Sequence, residues 1–519
     1  MNTWLSNKWA LSGTAGILLA LSFPPVNLSF LSIPAFILFF KLIDECESYK
    51  QTAYYTYLGF LIWNLGATYW LMMASIGAGT AAILANSVLM TIPLALSLFF
   101  SRKFSSPFLV ALLQASAWVS YEFLHHHWDL AWPWLAIGNA WSNHIGMIQY
   151  ISITGHLGIS FWVVFTAALA TQTIKYKSKL LLNSSIASLL VLPLLSLIYF
   201  AVSELPSNHE NVTRVAVIQP NHDSYEDYGG MSGAGEVLDS LFSITQKTRL
   251  ENTELIVWPE NAIDKPIFFN SYTSQRIADS ARAWNTDFIV GTGLYTIYDE
   301  EPDLYRGLIN GRPYNVFNSA LYVENNGFKS RYDKANLVPI VERFPFLPFF
   351  SKIDVFGWID WGRQAGFGQG NTPDMLEAET YSTPGLVCYD SVYPSWTRKF
   401  VTDGADFITI ITNDGWWGNS SGHLQHFAYA RLRAIEFDRW IVRSANNGTS
   451  GIIRPDGTIE QKTDYWIRTG FTSTIPNVQT STLYARFGDW VSYLTLALTF
   501  LGLLIGRFRK AKAAVTSNE

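Results

Sequence analysis

Apolar residues are spread unevenly along this chain. Up to about residue 203 they form long stretches, from 213 to 478 they come in short runs broken by polar positions, and from 489 to 506 they are continuous again. About eight stretches read as membrane helices: 9–23, 26–43, 53–74, 79–100, 107–123, 156–174, 181–202 and 489–506. Most approach the roughly 20 residues that an α-helix needs to cross the hydrocarbon core. The first two are short or interrupted by Pro24, Pro25 and Pro34, which fits a re-entrant or tilted pair. Several spans follow residues 1–23 at once, which favours an uncleaved anchor over a signal peptide.

The region 213–478 has a different rhythm. Arg214–Gln219, Leu255–Trp258, Asp287–Gly291, Leu386–Tyr389, Asp406–Ile411 and Trp440–Ala445 read as strands. Helical spacing is seen in Val237, Leu238, Leu241 and Ile244, and again in Ile277, Ala281 and Trp284. A further helix is expected over about 423–438, with Ser421 or Gly422 near its cap. Hairpin turns are expected at Asn326-Gly327 and Pro455-Asp456-Gly457. Strands alternating with helices imply a layered α/β domain. The expected plan is a polytopic transmembrane domain over 1–212 with about seven spans, an α/β domain over 213–478, and a last span with a basic tail over 479–519.

Charge sets the orientation. With the N-terminus inside, the inner segments carry Lys8, then Lys41 and Lys50, then Arg102 and Lys103, then Lys175, Lys177 and Lys179. The tail adds Arg507, Arg509, Lys510 and Lys512, whereas the outer segments around 24–25, 75–78 and 124–155 contain no Lys or Arg. By the positive-inside rule, residues 213–478 then lie on the outer face. Only 15% of residues are charged, well below the roughly 25% usual in soluble domains. A net charge of −5 without a Lys/Arg-rich block points away from nucleic acid. The two cysteines, Cys46 and Cys388, fall on opposite sides of the membrane in this topology. Cys388 is therefore a lone thiol on the outer side.

Three polar residues stand at expected strand ends, where α/β folds place their chemistry: Glu260, Lys334 and Cys388. A base, a cation and a thiol are what nucleophilic acyl transfer requires, because a thiol with a pKa of about 8.5 needs help to attack near neutral pH. Their flanks are distinctive: Trp258-Pro259-Glu260, Tyr332-Asp333-Lys334 running into Leu337-Val338-Pro339 and Glu342, and Val387-Cys388-Tyr389. Asn413-Asp414-Gly415-Trp416-Trp417-Gly418, Gln425-His426-Phe427 and Asn446-Asn447-Gly448 follow. This set resembles the nitrilase/carbon–nitrogen hydrolase superfamily. Attached to a polytopic membrane region, it resembles the bacterial apolipoprotein N-acyltransferases over nearly the whole chain.

The resemblance implies an α-β-β-α sandwich with Glu260 as general base, Lys334 as thiolate and oxyanion stabiliser, and Cys388 as nucleophile. Glu342 supports the site, and Tyr389 supplies a backbone N–H beside the nucleophile. Asp390 stands where the family usually has Glu. An aromatic residue is usual in the loop after the first strand, for which Tyr225 and Tyr228 are candidates. The implied reaction is ping-pong: a phospholipid acyl donor acylates Cys388, and the α-amine of a diacylated apolipoprotein acceptor takes the acyl group. The setting is a bacterial inner membrane, among membrane lipids and with no cofactor, metal or nucleic acid. A membrane-anchored amidase that sends the thioester to water is the alternative.

The segment 344–367 is rich in aromatics, with Phe344, Phe346, Phe349, Phe350, Phe356, Trp358, Trp361 and Phe367. It reads either as a lid guiding acyl chains or as core packing. Trp416 and Trp417 read as substrate-lining. His125, His126 and His127 are too crowded to converge on one ion, and a loop with Trp128, Trp132, Trp134 and Trp141 reads as interfacial. Glu122 fits either a lipid cavity or an interfacial position. His423 and His426 read as structural.

Overall fold

A computed structural model describes residues 7–203, 211–353 and 366–509. The aromatic candidates Phe356, Trp358 and Trp361, and the tail residues Lys510 and Lys512, lie outside the described residues. The chain divides into two compact units. One comprises residues 1–72, 79–203 and 487–519, the other 73–78 and 204–486.

The first unit is helical. Five of its described helices are long and apolar enough to cross a membrane: Ile76–Lys103, Pro107–His125, Leu157–Tyr176, Lys179–Val202 and Trp490–Phe508. The first two apolar stretches, expected as a short or proline-interrupted pair, form short helices. Lys8–Ser22 has 15 residues and Ser32–Asp44 has 13, both short of the roughly 20 needed to cross. The stretch expected over 53–74 is helical from Tyr49 to Thr68. Within 76–103 the helix breaks at Met90. There Pro93 has no N–H to give the carbonyl four residues earlier.

The aromatic loop is also revised, because Trp134 and Trp141 are buried and only Trp128 is well exposed. Glu122 is buried too, accepting from Trp118 Nε1 at 2.7 Å and from the Ile137 N–H at 2.9 Å. His125 is spent on neighbours: Nε2 lies 3.0 Å from Asn86 Oδ1, and Nδ1 accepts from Trp128 Nε1 at 2.9 Å.

The second unit is a sandwich of two sheets. The first joins β1 (Val212–Gln219), β2 (Leu255–Phe268), β3 (Asp287–Ile297), β4 (Gly307–Ile309), β5 (Arg312–Val323), β6 (Lys329–Asp333) and β14 (Thr469–Pro476). Their order is β14-β1-β2-β3-β5-β4, with β6 paired to β5. A short pair, β7 (Leu376–Glu377) and β8 (Ser382–Thr383), follows. The second sheet consists of Gly385–Val387 (β9), Ile408–Thr412 (β10), Ile441–Ala445 (β11), Gly451–Ile453 (β12) and Ile459–Lys462 (β13), in the order β13-β12-β11-β10-β9.

Side chains alternate across a strand, and β1 shows what that does. Val215 and Val217 enter the core shared with Val387, Ile411 and Val442 of the facing sheet. Ala216 and Ile218 point the other way, onto Val237, Leu238 and Leu241 of the helix Ala234–Thr248 and Ile277 of Tyr272–Trp284. Phe400 and Val401 of Pro394–Thr402 and Phe427, Ala430 and Ala434 of Ser421–Phe437 pack on the outer face of the second sheet, the side to which Leu386, Ile408 and Ile410 point. The α-β-β-α layering is therefore as the resemblance implied.

Several boundaries move. Ser420 caps the helix Ser421–Phe437 by accepting from the Gly422 N–H. β14 runs antiparallel to β1 and adds an edge strand not anticipated. Leu255–Trp258 is the start of a longer strand whose register shifts between Trp258 and Ile263. Glu260 sits inside that irregularity, with Asn261 at φ +53°.

Gly291 on β3 makes room for it. A Cβ there would lie 2.2 Å from Pro259 O and 2.5 Å from Glu260 Cα. Gly291→Ala is expected to push Glu260 aside and lower activity by about 10²-fold, the usual cost of misplacing a reacting group by ~1 Å. Steady-state kinetics with a thermal melt check this. Wild-type kinetics would mean that the strand yields without moving Glu260.

Candidate active site

Cys388 follows β9 directly and opens a 3-10 turn, Cys388–Val392. Its φ is +49°, a left-handed conformation that a non-glycine residue adopts at a cost and that clusters at functional sites. The thiol is buried. Burial, and then the negative charge of Glu260, push its pKa well up, while Lys334 pulls it down. At rest the sulfur therefore keeps its proton and needs a base to attack.

Lys334 follows β6 and is 1% exposed. Its Nζ donates to Glu342 Oε1 at 2.8 Å and lies 3.6 Å from Glu260 Oε1. Burial opposes this charge, but Glu342 and Glu260 outweigh it, and the lysine stays cationic. Glu342 Oε2 accepts from the Val338 N–H at 2.7 Å. Glu260 Oε1 accepts from Asn318 Nδ2 at 2.8 Å and Oε2 from the Asn413 N–H at 2.9 Å. Burial is the largest influence on Glu260. Together with Glu342 it outweighs the lowering by Lys334, and the carboxyl sits above its ordinary range. A raised carboxyl that is still held by two donors is suited to exchanging a proton with a thiol.

Asp390 has a concrete task. Its Oδ2 accepts from Tyr332 Oη at 2.7 Å, and its Oδ1 from the Asn336 N–H at 2.7 Å and Nδ2 at 2.9 Å. Residues 332 and 336 flank Lys334, so the shorter carboxylate ties the lysine's loop to the nucleophile's turn. Burial raises its pKa to about 6, against the pull of Lys334 and its hydrogen bonds. Tyr389 is buried beside it, with its ring edge-on to Tyr393.

The three expected catalytic residues and Glu342 are thus brought together. Tyr225 and Trp416 also meet: Tyr225 Oη donates to Trp416 O at 2.8 Å, and their rings are 5.6 Å apart. The Trp417 ring lies 5.7 Å from that of His426. Tyr228 packs instead on the helical side of the first sheet. Among the described arm residues, Phe344, Phe346 and Phe349 are exposed and Leu347 is buried, which removes simple core packing for these phenylalanines.

Asn318 was missed. One amide bridges both carboxylates, at 2.8 Å to Glu260 and 3.2 Å to Glu342, yet an asparagine within β5 has no sequence signature. His426 was taken as structural, although its Nε2 lies 3.3 Å from Cys388 O. The Asn446-Asn447 pair pins the first loop, with Asn446 Oδ1 accepting from the His222 N–H and Asn447 Nδ2 donating to His222 O.

A two-sheet sandwich with a buried thiol, lysine and carboxylates at the strand ends defines a thiol hydrolase or acyltransferase of the nitrilase type. The chain belongs to the carbon–nitrogen hydrolase family, whose model matches residues 214–484. Residues 15–169 match the model of the apolipoprotein N-acyltransferase N-terminal domain. An apolipoprotein N-acyltransferase from Chlorobaculum tepidum is 28% identical over 98% of this chain and 98% of its own length. One from Rickettsia prowazekii is 29% identical over 94% of this chain and 96% of its own. With this N-terminal region and its apolar helices, the chain is a membrane protein.

Proposed function

We propose that this protein is an acyltransferase that N-acylates lipoproteins, taking the acyl chain from a phospholipid through a thioester on Cys388. The observation that carries the reading is the buried Glu260–Lys334–Glu342 cluster around a lone thiol, in a chain that also has the N-acyltransferase membrane domain. In the first step the Cys388 sulfur attacks the ester carbonyl while Glu260 takes its proton. A C–S bond forms and the C–O bond breaks, and Glu260 returns the proton to the departing lysophospholipid oxygen. Lys334 and the Tyr389 N–H stabilise the oxyanion between these events. In the second step the α-amine of the diacylglyceryl-cysteine attacks the thioester, loses a proton to the thiolate through Glu260, and leaves as the amide.

No external energy source is needed, because the ester already carries the activated acyl group. The positive-inside pattern puts the catalytic domain, residues 213–478, on the outer face of a bacterial inner membrane. There the phospholipid and the diacylated lipoprotein are both within reach. The exposed Phe344, Phe346 and Phe349 follow Glu342 in the chain and supply an apolar surface for acyl chains. An amidase acting on a soluble amide would need neither the membrane domain nor this surface.

Intact mass after incubation with phospholipid tests the reading. An acyl mass should appear on Cys388, disappear when a diacylated lipopeptide is added, and be absent from Cys388→Ala. A Cys388→Ala protein that still N-acylates the peptide would sink it.

A further inference from the structure

Within one peptide unit the carbonyl and the N–H lie in a rigid plane and point in opposite directions. The unit joining Cys388 to Tyr389 is the one whose N–H is assigned to the oxyanion. Its carbonyl is held from the far side. Ser391 Oγ donates to Cys388 O at 2.7 Å. His426 Nε2 lies 3.3 Å from the same oxygen and 3.3 Å from Ser391 Oγ. Both side chains are buried.

The imidazole is fixed in turn. Its Nδ1 is 2.9 Å from Asp414 Oδ1, a carboxylate that also accepts from Thr412 Oγ1 at 2.8 Å and from Arg443 Nη2 at 2.6 Å. Burial opposes the charge on Asp414, but Arg443 and His426 outweigh it and keep the group ionised. Burying such a charged cluster is expensive. It stands directly behind a residue whose left-handed backbone also has to be held.

We infer that Ser391 and His426 are positioning residues for acyl transfer: Ser391 donates to the Cys388 carbonyl, His426, anchored on Asp414, packs against that hydroxyl and holds it in place, and the pair thereby aims the Tyr389 N–H at the oxyanion. A donor on the carbonyl side also polarises the peptide, so its N–H donates more strongly on the other side. This inference rests on the acyl-transfer reading above. It adds two residues that do not touch the reacting atoms and act through one peptide plane.

The test uses full-length protein carrying Ser391→Ala, His426→Ala or His426→Gln, with three readouts. Acylation of Cys388 by phospholipid is followed by mass in a single turnover, and kcat and KM are measured with lipopeptide. The third readout is the rate at which iodoacetamide alkylates Cys388, a displacement at carbon that forms no oxyanion. Ser391→Ala and His426→Ala should lower acylation and kcat by about 10-fold, less than the loss of an oxyanion donor itself. KM and the alkylation rate should stay near wild type. His426→Gln, which keeps a polar side chain of similar reach beside the Ser391 hydroxyl, should recover part of the loss.

Alkylation falling in step with acylation would overturn the inference, since the residues would then be acting on the thiol. Unchanged acylation in Ser391→Ala and His426→Ala would overturn it as well. A wild-type protein that takes no acyl group from phospholipid would refute the underlying acyl-transfer reading, and the wild-type control separates that failure from the others.

Discussion

Replacing Lys334 with methionine is expected to lower kcat/KM by about 10³-fold, because the cation that meets the oxyanion is lost. The same change should destabilise the domain by about 3–5 kcal/mol, the usual cost of removing one partner from a buried ion pair. Both effects follow from the position of Nζ, 2.8 Å from Glu342 and 3.6 Å from Glu260 in a side chain that is 1% exposed. Methionine fills similar space but leaves the buried Glu260 and the half-buried Glu342 carboxylates facing each other across Asn318.

The stability loss should depend on pH, and its sign can be worked out. Glu260 is already raised by burial, and Lys334 is the largest influence holding it down. Without Lys334 its pKa climbs further, so it takes up a proton at higher pH. Below that pH the unpaired charge is gone, and the deficit shrinks. Thermal unfolding of wild type and variant at about pH 8 and about pH 5 measures this. Equal deficits at the two pH values would mean that Lys334 contributes packing rather than charge.

Replacing Glu260 with glutamine should separate activity from stability. The amide keeps the shape but cannot take the thiol proton, and rates should fall by about 10²–10⁴-fold, the range for a lost general base. Stability should hold or rise, since burial penalises the ionised carboxylate and Lys334 retains Glu342. The wild-type pH profile provides the second readout. The folded pKa lies above the ordinary 4.5, so the acidic limb of kcat/KM should sit above that pH. In Glu260→Gln the limb should vanish. A variant with the same limb would assign that titration to another group.

The nature of these effects explains why some of the site was legible in the sequence. Glu260 and Cys388 each stand after an apolar run that announces a strand, and Lys334 closes Arg331-Tyr332-Asp333; all three have unusual flanks. The continuous apolar run of residues 215–218 is enough to predict a strand buried on both faces. The helix beginning near 421 is signalled by residues that prefer its cap. Asn318 is different. It lies in β5 among residues that read as ordinary strand, and it matters only because β2 and the loop carrying Glu342 both close onto it. His426 and Ser391 are 35 residues apart and meet at one carbonyl. No local pattern encodes such a meeting.

The membrane region divides in the same way. Charge counting in the short loops needs only the chain, because lysine and arginine are sorted one segment at a time. Helix lengths do not follow from hydropathy alone: 53–74 stops at Thr68, and 26–43 is a helix of 13 residues over Ser32–Asp44. Burial of Trp134 and Trp141 depends on helices that arrive from far along the chain.

Local composition thus determined the membrane helices, the layered α/β domain and the identities of base, cation and thiol, since each depends on residues within one turn or one strand. The tertiary structure decided the rest. It placed Asp390 on both sides of Lys334, turned Cys388 left-handed and set Gly291 under Glu260. Those depend on segments distant in sequence, which strand pairing and the packing of two sheets bring together.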